Sequence, residues 1–570
     1  MSGLLDRIDA VGQSALTWVS GGLLRQAFAL VVLTVLLFLP GQASLPVTDR
    51  DEGRYVQASK QMMETGDYVD IRFQNGPRWK KPVGIYWLQT AAAHTAGTDD
   101  ASEIWVYRIP SLIGALGAVA LTIWGLMPLI GRRAGTLAGL MLGSSILLVG
   151  EAHIAKTDAA LLLTIVAAQG ALARMWLKEV RRFDLTHAVL WVALAVGVLI
   201  KGPIILMVTG LSLLWLCIVD RSIDTLRLTR PLIGVPLFLI IAAPWFIAIG
   251  IQTDWAFYVE SIGNDLLGKV GTGAEAHWGP PGYYLATIWF SFWPWTPLFV
   301  LALPWLWSDR RSDAMRFLTA WAVPYWAVFA ITATKLPHYM LPILPALAGM
   351  LAHWMTHGPV TEMRYRWARW GAAILFTLGA LIYCGIVIAA LFVLEGRVPP
   401  MTMAIGLLCL GLSGVAALLL VRQRLFAFAT VALVTMAVLT PALLERTLPS
   451  LKSLFISPRM VAAHDAWTSC APQDLITVGY HEPSLVFLAG TDTRLIWPEE
   501  AVALLQSDPE VRIFFETPRR GTLESITEDV GHPLTVLEAV HGLNYNRGDP
   551  ADILLLTRSD GRLATECARN

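Results

Sequence analysis

Long apolar runs, each about as long as a bilayer crossing, fill most of the first 450 residues, and the polar positions collect in the gaps between them. A helix that crosses the hydrocarbon core needs about 20 apolar residues. Runs of this kind are read at 26–45, 105–130, 134–152, 158–177, 187–200, 203–219, 231–250, 284–307, 315–333, 340–357, 368–394, 401–420 and 427–447, which predicts about thirteen spans. Beyond residue 455 the pattern changes. The apolar runs shorten and are punctuated by turn residues: LITVGY, SLVFLAG, TRLIW, VRIFFE, LTVLEAV and ADILLLTR read as strands. PRMVAAHDAW, EEAVALLQ and GTLESITEDV, lying between some of them, read as helices. Strands alternating with helices predict a small α/β domain over 455–570. The fold class expected is therefore a polytopic α-helical membrane protein, residues 1–454, with a small C-terminal α/β domain.

Composition agrees with the pattern. The 570 residues are 55% hydrophobic and only 15% charged, against about 25% charged in ordinary soluble domains. The formal net charge is zero, so no bulk electrostatic attraction to nucleic acid is expected. No Gly-rich phosphate loop, CxxC pair or HExxH motif occurs. Residues 1–24 are mildly amphipathic, show no cleavable signal pattern and lead into a span, so the first span is expected to stay in place.

The basic residues set an orientation. Arg132 and Arg133 follow the second span; Lys178, Arg181 and Arg182 the fourth; Arg221, Arg227 and Arg230 the sixth. Arg310, Arg311 and Arg316 follow the eighth, Arg364, Arg366 and Arg369 the tenth, and Arg422 and Arg424 the twelfth. Every even exit is basic, so these exits are expected in the cytoplasm and the C-terminus outside. Residues 46–103 then form a long first outer loop and 251–283 a second. Within the first, DEGRYVQASKQMMETGD and PVGIYWLQTAAAHTAG have helical spacing and are read as amphipathic helices on the membrane surface.

The remaining outer connectors are short: EAHIAKTDA (151–159), IKGP (200–203) and TKLPHYMLP (334–342), each with one lysine. Asp51, Glu52, Lys80, Lys81, Lys156, Asp158, Lys201, Lys335, His277 and His338 thus all fall on one side of the membrane. Ionisable groups at a membrane face are costly and mark sites. Carboxylates in such a set supply a base or bind a cation, and lysines hold a phosphate. Each residue also has a structural reading: Asp51, Glu52 and Asp158 as acids favouring a helix dipole, Lys81 as a snorkelling surface residue, and the histidines as hydrogen-bonded helpers.

DEGRY, KKPVGIYW, KTDA and KLPHYMLP, in this order, resemble the membrane glycosyltransferases of GT-C type that use polyprenyl-phosphate sugars. The branch resembled is that of the lipid A 4-amino-4-deoxy-L-arabinose transferases, within a superfamily that includes the protein O-mannosyltransferases. The resemblance implies an inverting transfer of a sugar from a polyprenyl (undecaprenyl) phosphate donor to lipid A or another envelope glycan on the periplasmic face of a bacterial inner membrane. It implies Asp51 as the catalytic carboxylate, with Asp158 as a second acid, and Lys81 at the lipid phosphate. Tyr339 is implied to line the same cavity, and Glu52, Lys201, Lys335, His277 and His338 complete the expected substrate contacts. Lys80 stands where the lipid A branch carries an acid, so no metal ligands are assigned and a divalent metal ion is only an open cofactor alternative. The rival readings are a protein O-mannosyltransferase and a lipid-linked sugar flippase; no internal repeat of the transporter kind is visible. Cys470 and Cys567 bracket the tail and are expected to pair if it lies in an oxidising compartment.

Overall fold

The computed structural model describes residues 2–97, 103–177, 183–261, 263, 279–280, 282–358, 366–468, 472–517 and 519–562. Cys470, Cys567, His277 and the basic residues Lys178, Arg181, Arg182 and Arg364 lie outside the described residues.

The first 450 residues form a helical bundle. Among the described residues seven helices are long and apolar enough to cross a membrane, or up to nine if each of two bent pairs counts as one span. The departures from the expected thirteen have local causes. The runs at 105–130 and 134–152 share one helical stretch, Ile104–Gly143, broken where Gly131 takes φ 80°, and a separate short helix, Ile146–Ala152, follows. The span expected at 26–45 is shorter and begins earlier: Leu5–Ser20 and Leu23–Phe38 meet at 115°. The expected span 284–307 is likewise two pieces, Tyr283–Ser291 and Thr296–Ser308, bent by 118°. The pair within 187–219 does divide, into Leu185–Lys201 and Ile204–Asp220. Gly202 at φ 68° ends the first helix and Pro203 opens the second, a turn suited to a residue without a Cβ followed by one with a fixed φ. This turn leaves Lys201 at the helix end.

The basic exits converge. Arg316 pairs with Asp220, which also accepts Trp176 Nε1 at 2.8 Å. Arg133 sits 5.3 Å over the Phe426 ring, and Arg369 reaches the Val421 carbonyl. Asp309 accepts His353 Nε2 at 3.0 Å. Each contact ties one even exit to another, so these exits share one end of the bundle.

At the opposite end, the helix Asp51–Thr65 is closed by Gly66 and the helix Gly84–Ala96 by Gly97, both glycines with positive φ. The first is not a surface helix as expected: Glu52, Gly53 and every residue from Tyr55 to Met62 are buried, because the tail packs on it. The tail carries a five-stranded mixed sheet in the order Arg494–Ile496, Ile476–Val478, Ile513–Thr517, Asp549–Arg558, Leu534–Asn544. The first two junctions are parallel and the last two antiparallel.

One expected strand is a helix. SLVFLAG lies in Pro483–Ala489, with Pro at its first position and Gly490 at its end. Residues Pro483–Phe487 are buried because this helix is wedged between the sheet and the bundle. A Cβ on Gly53 would come within 2.7 Å of the Ser484 backbone nitrogen, so the close approach requires glycine there. Phe487 completes an apolar cluster with Val47, Val56, Ala93, Ile104 and Tyr107.

Candidate functional site

Two cavities meet where the tail, the helix Asp51–Thr65 and the connectors come together. The first, of about 470 Å³, is lined on its polar side by Asp51, Arg54, Arg78, Lys80, Lys81, Lys156, Asp158, Lys201 and His338. Its apolar wall is Leu161, Ile204, Met207, Val328, Phe329 and Ile331, with Tyr325 and Tyr339 between the two. The second, of about 910 Å³, has Thr48, Asp49, Arg50, Tyr545 and Asn546 at its polar end and Leu439, Leu443, Leu444, Leu448 and Phe455 along its apolar side. Asp51, Arg54, Lys80, Lys156 and His338 line both, so a charged ridge separates two amphiphilic spaces.

The local folding explains the ridge. Asp51 is the first residue of its helix and is exposed, where a negative charge is favoured by the helix dipole. Lys156 precedes the helix Thr157–Trp176, and Asp158 lies in its first turn. Ser111 donates its hydroxyl to the carbonyls of Ile154 at 2.8 Å and Lys156 at 3.2 Å, which fixes this connector. Asp158 is a hub rather than an isolated acid: its carboxylate lies 2.6 Å from Lys201 Nζ, 3.8 Å from Lys156 Nζ and 4.0 Å from His338 Nε2. Lys156 Nζ also pairs with Glu151 at 3.0 Å. Burial raises the Glu151 carboxyl above the usual range against the pull of Lys156. Glu151 and Asp158 together hold Lys156 firmly protonated despite burial.

Of the expected site residues, the structure brings Asp51, Lys81, Asp158, Lys201, His338 and Tyr339 to the first cavity. Two others have different surroundings. Glu52 is fully buried and bidentate to Arg108, at 2.9 and 3.1 Å. Its oxygens also accept the Thr48 and Ala155 backbone N–H groups, each at 2.8 Å. Arg108 overcomes the cost of burial and lowers the Glu52 carboxyl. Protein donors meet both oxygens of the carboxylate, and the residue lines the second cavity rather than the first. Lys335 turns away: its ammonium donates to the Thr332 carbonyl at 2.6 Å, its chain packs on Gly279, and Thr334 and Leu336 line the cavity instead.

The lysine-centred expectation missed two arginines. Arg78 is buried, lies 4.9 Å over the Tyr55 ring, and has its Nε without a hydrogen-bond partner among the described residues. Arg54 lies one turn from Asp51. Arg54 lies in DEGRY, three residues after Asp51, and Arg78 lies just before KKPVGIYW, three residues before Lys81; the signal that could have found them is this spacing. Among the described residues no three His, Cys, Asp or Glu side chains converge to hold a metal ion, and Lys80 puts an ammonium on the ridge.

The bundle gathers six cationic side chains and two carboxylates at the polar end of a cavity with an apolar wall, and its helices have the lengths and composition of a polytopic membrane protein. Its architecture matches the crystal structure of ArnT from Cupriavidus metallidurans bound to undecaprenyl phosphate, with a TM-score of 0.71 at 17% identity over 94% of this chain and 98% of that one. Residues 80–247 match the family described as dolichyl-phosphate-mannose-protein mannosyltransferase. The chain is 27% identical over 379 residues to an undecaprenyl phosphate-alpha-4-amino-4-deoxy-L-arabinose arabinosyl transferase of Pectobacterium atrosepticum, a match covering 64% of each chain. It is 28% identical over 347 residues to the protein of that name from Yersinia pestis, covering 58% of this chain and 59% of the relative. The chain thus spans about three fifths of the length of these curated relatives. The resemblance drawn from the four motifs and the similarity across the whole bundle agree.

Proposed function

We propose that the protein is an inverting glycosyltransferase of a bacterial inner membrane. It moves a sugar from an undecaprenyl phosphate donor to an acceptor on the periplasmic face, with lipid A or lipopolysaccharide as the acceptor and a 4-amino-4-deoxy-arabinose type of sugar as the group transferred. The observation that carries this reading is the excess of cations in the first cavity, six against two carboxylates, directly above an apolar wall. A polyprenyl chain fits the wall and its phosphate the cations.

The donor enters the first cavity from the bilayer. Lys81, Arg78, Lys201 and the shared Lys80, Arg54 and Lys156 surround its phosphate. As the bond from the anomeric carbon to the phosphate oxygen breaks, charge grows on the leaving polyprenyl phosphate, and fixed cations stabilise that charge more than the ground state. Asp158 holds Lys201 and Lys156 in place rather than acting as a base. Asp51, exposed on the ridge between the cavities, faces the attacking group. With a hydroxyl acceptor it takes the proton; with a phosphate acceptor it orients the nucleophile, which needs no strong base. One displacement by an acceptor approaching from the second cavity inverts the anomeric centre.

The family name shared with protein mannosyltransferases supports a second reading, a protein acceptor. The leucine-lined side of the second cavity favours a lipid instead. The test is mass spectrometry of lipid A and of envelope proteins from cells with and without the gene. Loss of an amino-pentose from lipid A is the expected result. Unchanged lipid A with a lost protein glycan overturns the acceptor assignment.

A further inference from the structure

Four consecutive residues, Asp49 to Glu52, have four different fates. The Asp49 carboxylate accepts the Ser484 hydroxyl, and its backbone N–H donates to Tyr545 Oη at 2.6 Å. Arg50 adopts φ 63° and ψ −103°, a conformation that side-chain-bearing residues rarely take and that persists only where both flanks are held. Asp51 faces the two cavities. Glu52 is locked to Arg108. The chain is therefore gripped on one flank by the tail and on the other by the bundle, with the strained residue and the candidate catalytic carboxylate between. The tail's grip is itself braced, because Glu482 accepts the side-chain amides of Asn544 and Asn546, both at 2.8 Å, and so fixes the turn that carries Tyr545.

We infer that Asp49 is a positioning residue through which the tail domain, by Ser484 and Tyr545, aims Asp51 at the junction of the two cavities. The inference rests on the reading of the site given above. Releasing the grip lets Arg50 relax to negative φ and swings Asp51, while Glu52 keeps the helix in register. The tail then contributes to turnover without touching the donor.

The grip is sensitive to pH in a definite direction. Burial pushes the Asp49 carboxyl up to about 7, opposed by the Ser484 hydroxyl and aided by Glu482. The other ionisable groups facing it are Tyr480, Tyr545 and its neighbours Arg50 and Glu52. A carboxyl raised in the docked state binds its proton more tightly there than in the undocked state. Docking is therefore strongest below the usual carboxylate range and weakens as pH rises through about 7.

The test uses the full chain purified in detergent, with undecaprenyl phosphate–4-amino-4-deoxy-arabinose as donor and lipid A as acceptor. Asp49→Ala should lower kcat by about tenfold to a hundredfold, the range for a displaced catalytic group. The Kd for undecaprenyl phosphate should stay within about twofold, since no donor contact is lost. Asp49→Asn, which resembles the protonated carboxyl, should recover most of kcat and remove the decline that the wild type shows as pH rises through about 7; any Glu151 titration is common to both. Ser484→Ala and Tyr545→Phe, milder than Asp49→Ala, should lower kcat in the same sense. Backbone hydrogen exchange over residues 49–54, read on the same samples without donor, should speed up in Ser484→Ala and Tyr545→Phe. Wild-type kcat in all variants, or unchanged exchange, overturns the inference. Faster exchange with a wild type that transfers no sugar supports the grip and rejects the functional reading.

Discussion

The charges around Arg108 and those around Lys156 lie at the same end of the bundle and are made of the same residue types, and each includes a carboxylate from the segment DE. Around Arg108 every donor is used: Nε and one Nη meet Glu52, and the others reach the carbonyls of Gln42, Leu45 and Pro46 at 2.7–3.1 Å. Around Lys156 one donor is left over. Six cations and two carboxylates line an open cavity, and Arg78 Nε is buried without a partner among the described residues. A buried charge group that is saturated holds the chain together, whereas one with donors to spare is prepared for an anion that comes from outside. Asp51 and Glu52 differ by one position and fall on opposite sides of that divide.

The largest effect expected is on the closed cluster. Arg108→Ala strands the Glu52 carboxylate and three carbonyls in a dry interior, and removing one partner of a buried pair costs about 3–5 kcal/mol. Thermal unfolding in detergent should show the loss, with little folded protein recovered. A thermal midpoint equal to wild type would mean that water reaches the pair and that the cluster is not closed. The next effect falls on the open cluster and is of another kind. Asp51→Asn should lower transfer by about 10²–10³ while the thermal midpoint and undecaprenyl phosphate binding stay unchanged. Near-normal turnover would return Asp51 to the role of a helix-dipole acid. Smaller again is Lys81→Ala, which removes one of several cations. A charge-assisted contact is worth about 1.5–3 kcal/mol, so undecaprenyl phosphate should bind about tenfold or more weakly, by titration with the labelled lipid. Unchanged binding would place the phosphate elsewhere in the cavity.

What could be read from the sequence follows the same divide. Periodicity found the bundle helices because apolar length is a local property, and it found most tail elements because strands and helices there have distinct spacing. It failed at SLVFLAG, where burial on all sides removes the periodicity and only Pro483 and Gly490 mark a helix. It failed at the bends near residues 21 and 293, where composition stays apolar while direction changes by more than 110°. The site residues were legible as a set, since lysines in short connectors are conspicuous. Their pairing was not. No local feature tells that Arg108, inside a long apolar run, binds Glu52.

Lys335 sharpens the comparison at its smallest scale. It lies in KLPHYMLP beside Leu336, His338 and Tyr339, all of which line the first cavity. Yet its ammonium is bound to the Thr332 carbonyl and its chain packs on Gly279, on the other side of the strand-like turn. The backbone alternates there: Thr334 and Leu336 face the cavity, and the residue between them faces away. A lysine so placed adds to the field at the site without a direct contact to lose. Lys335→Ala is therefore expected to weaken undecaprenyl phosphate binding by less than about threefold, well short of the loss of a charge-assisted hydrogen bond, in the titration used for Lys81→Ala. A tenfold loss would show that the ammonium leaves Thr332 and swings into the cavity when the phosphate arrives, and Lys335 would then count with the open cluster rather than the closed one.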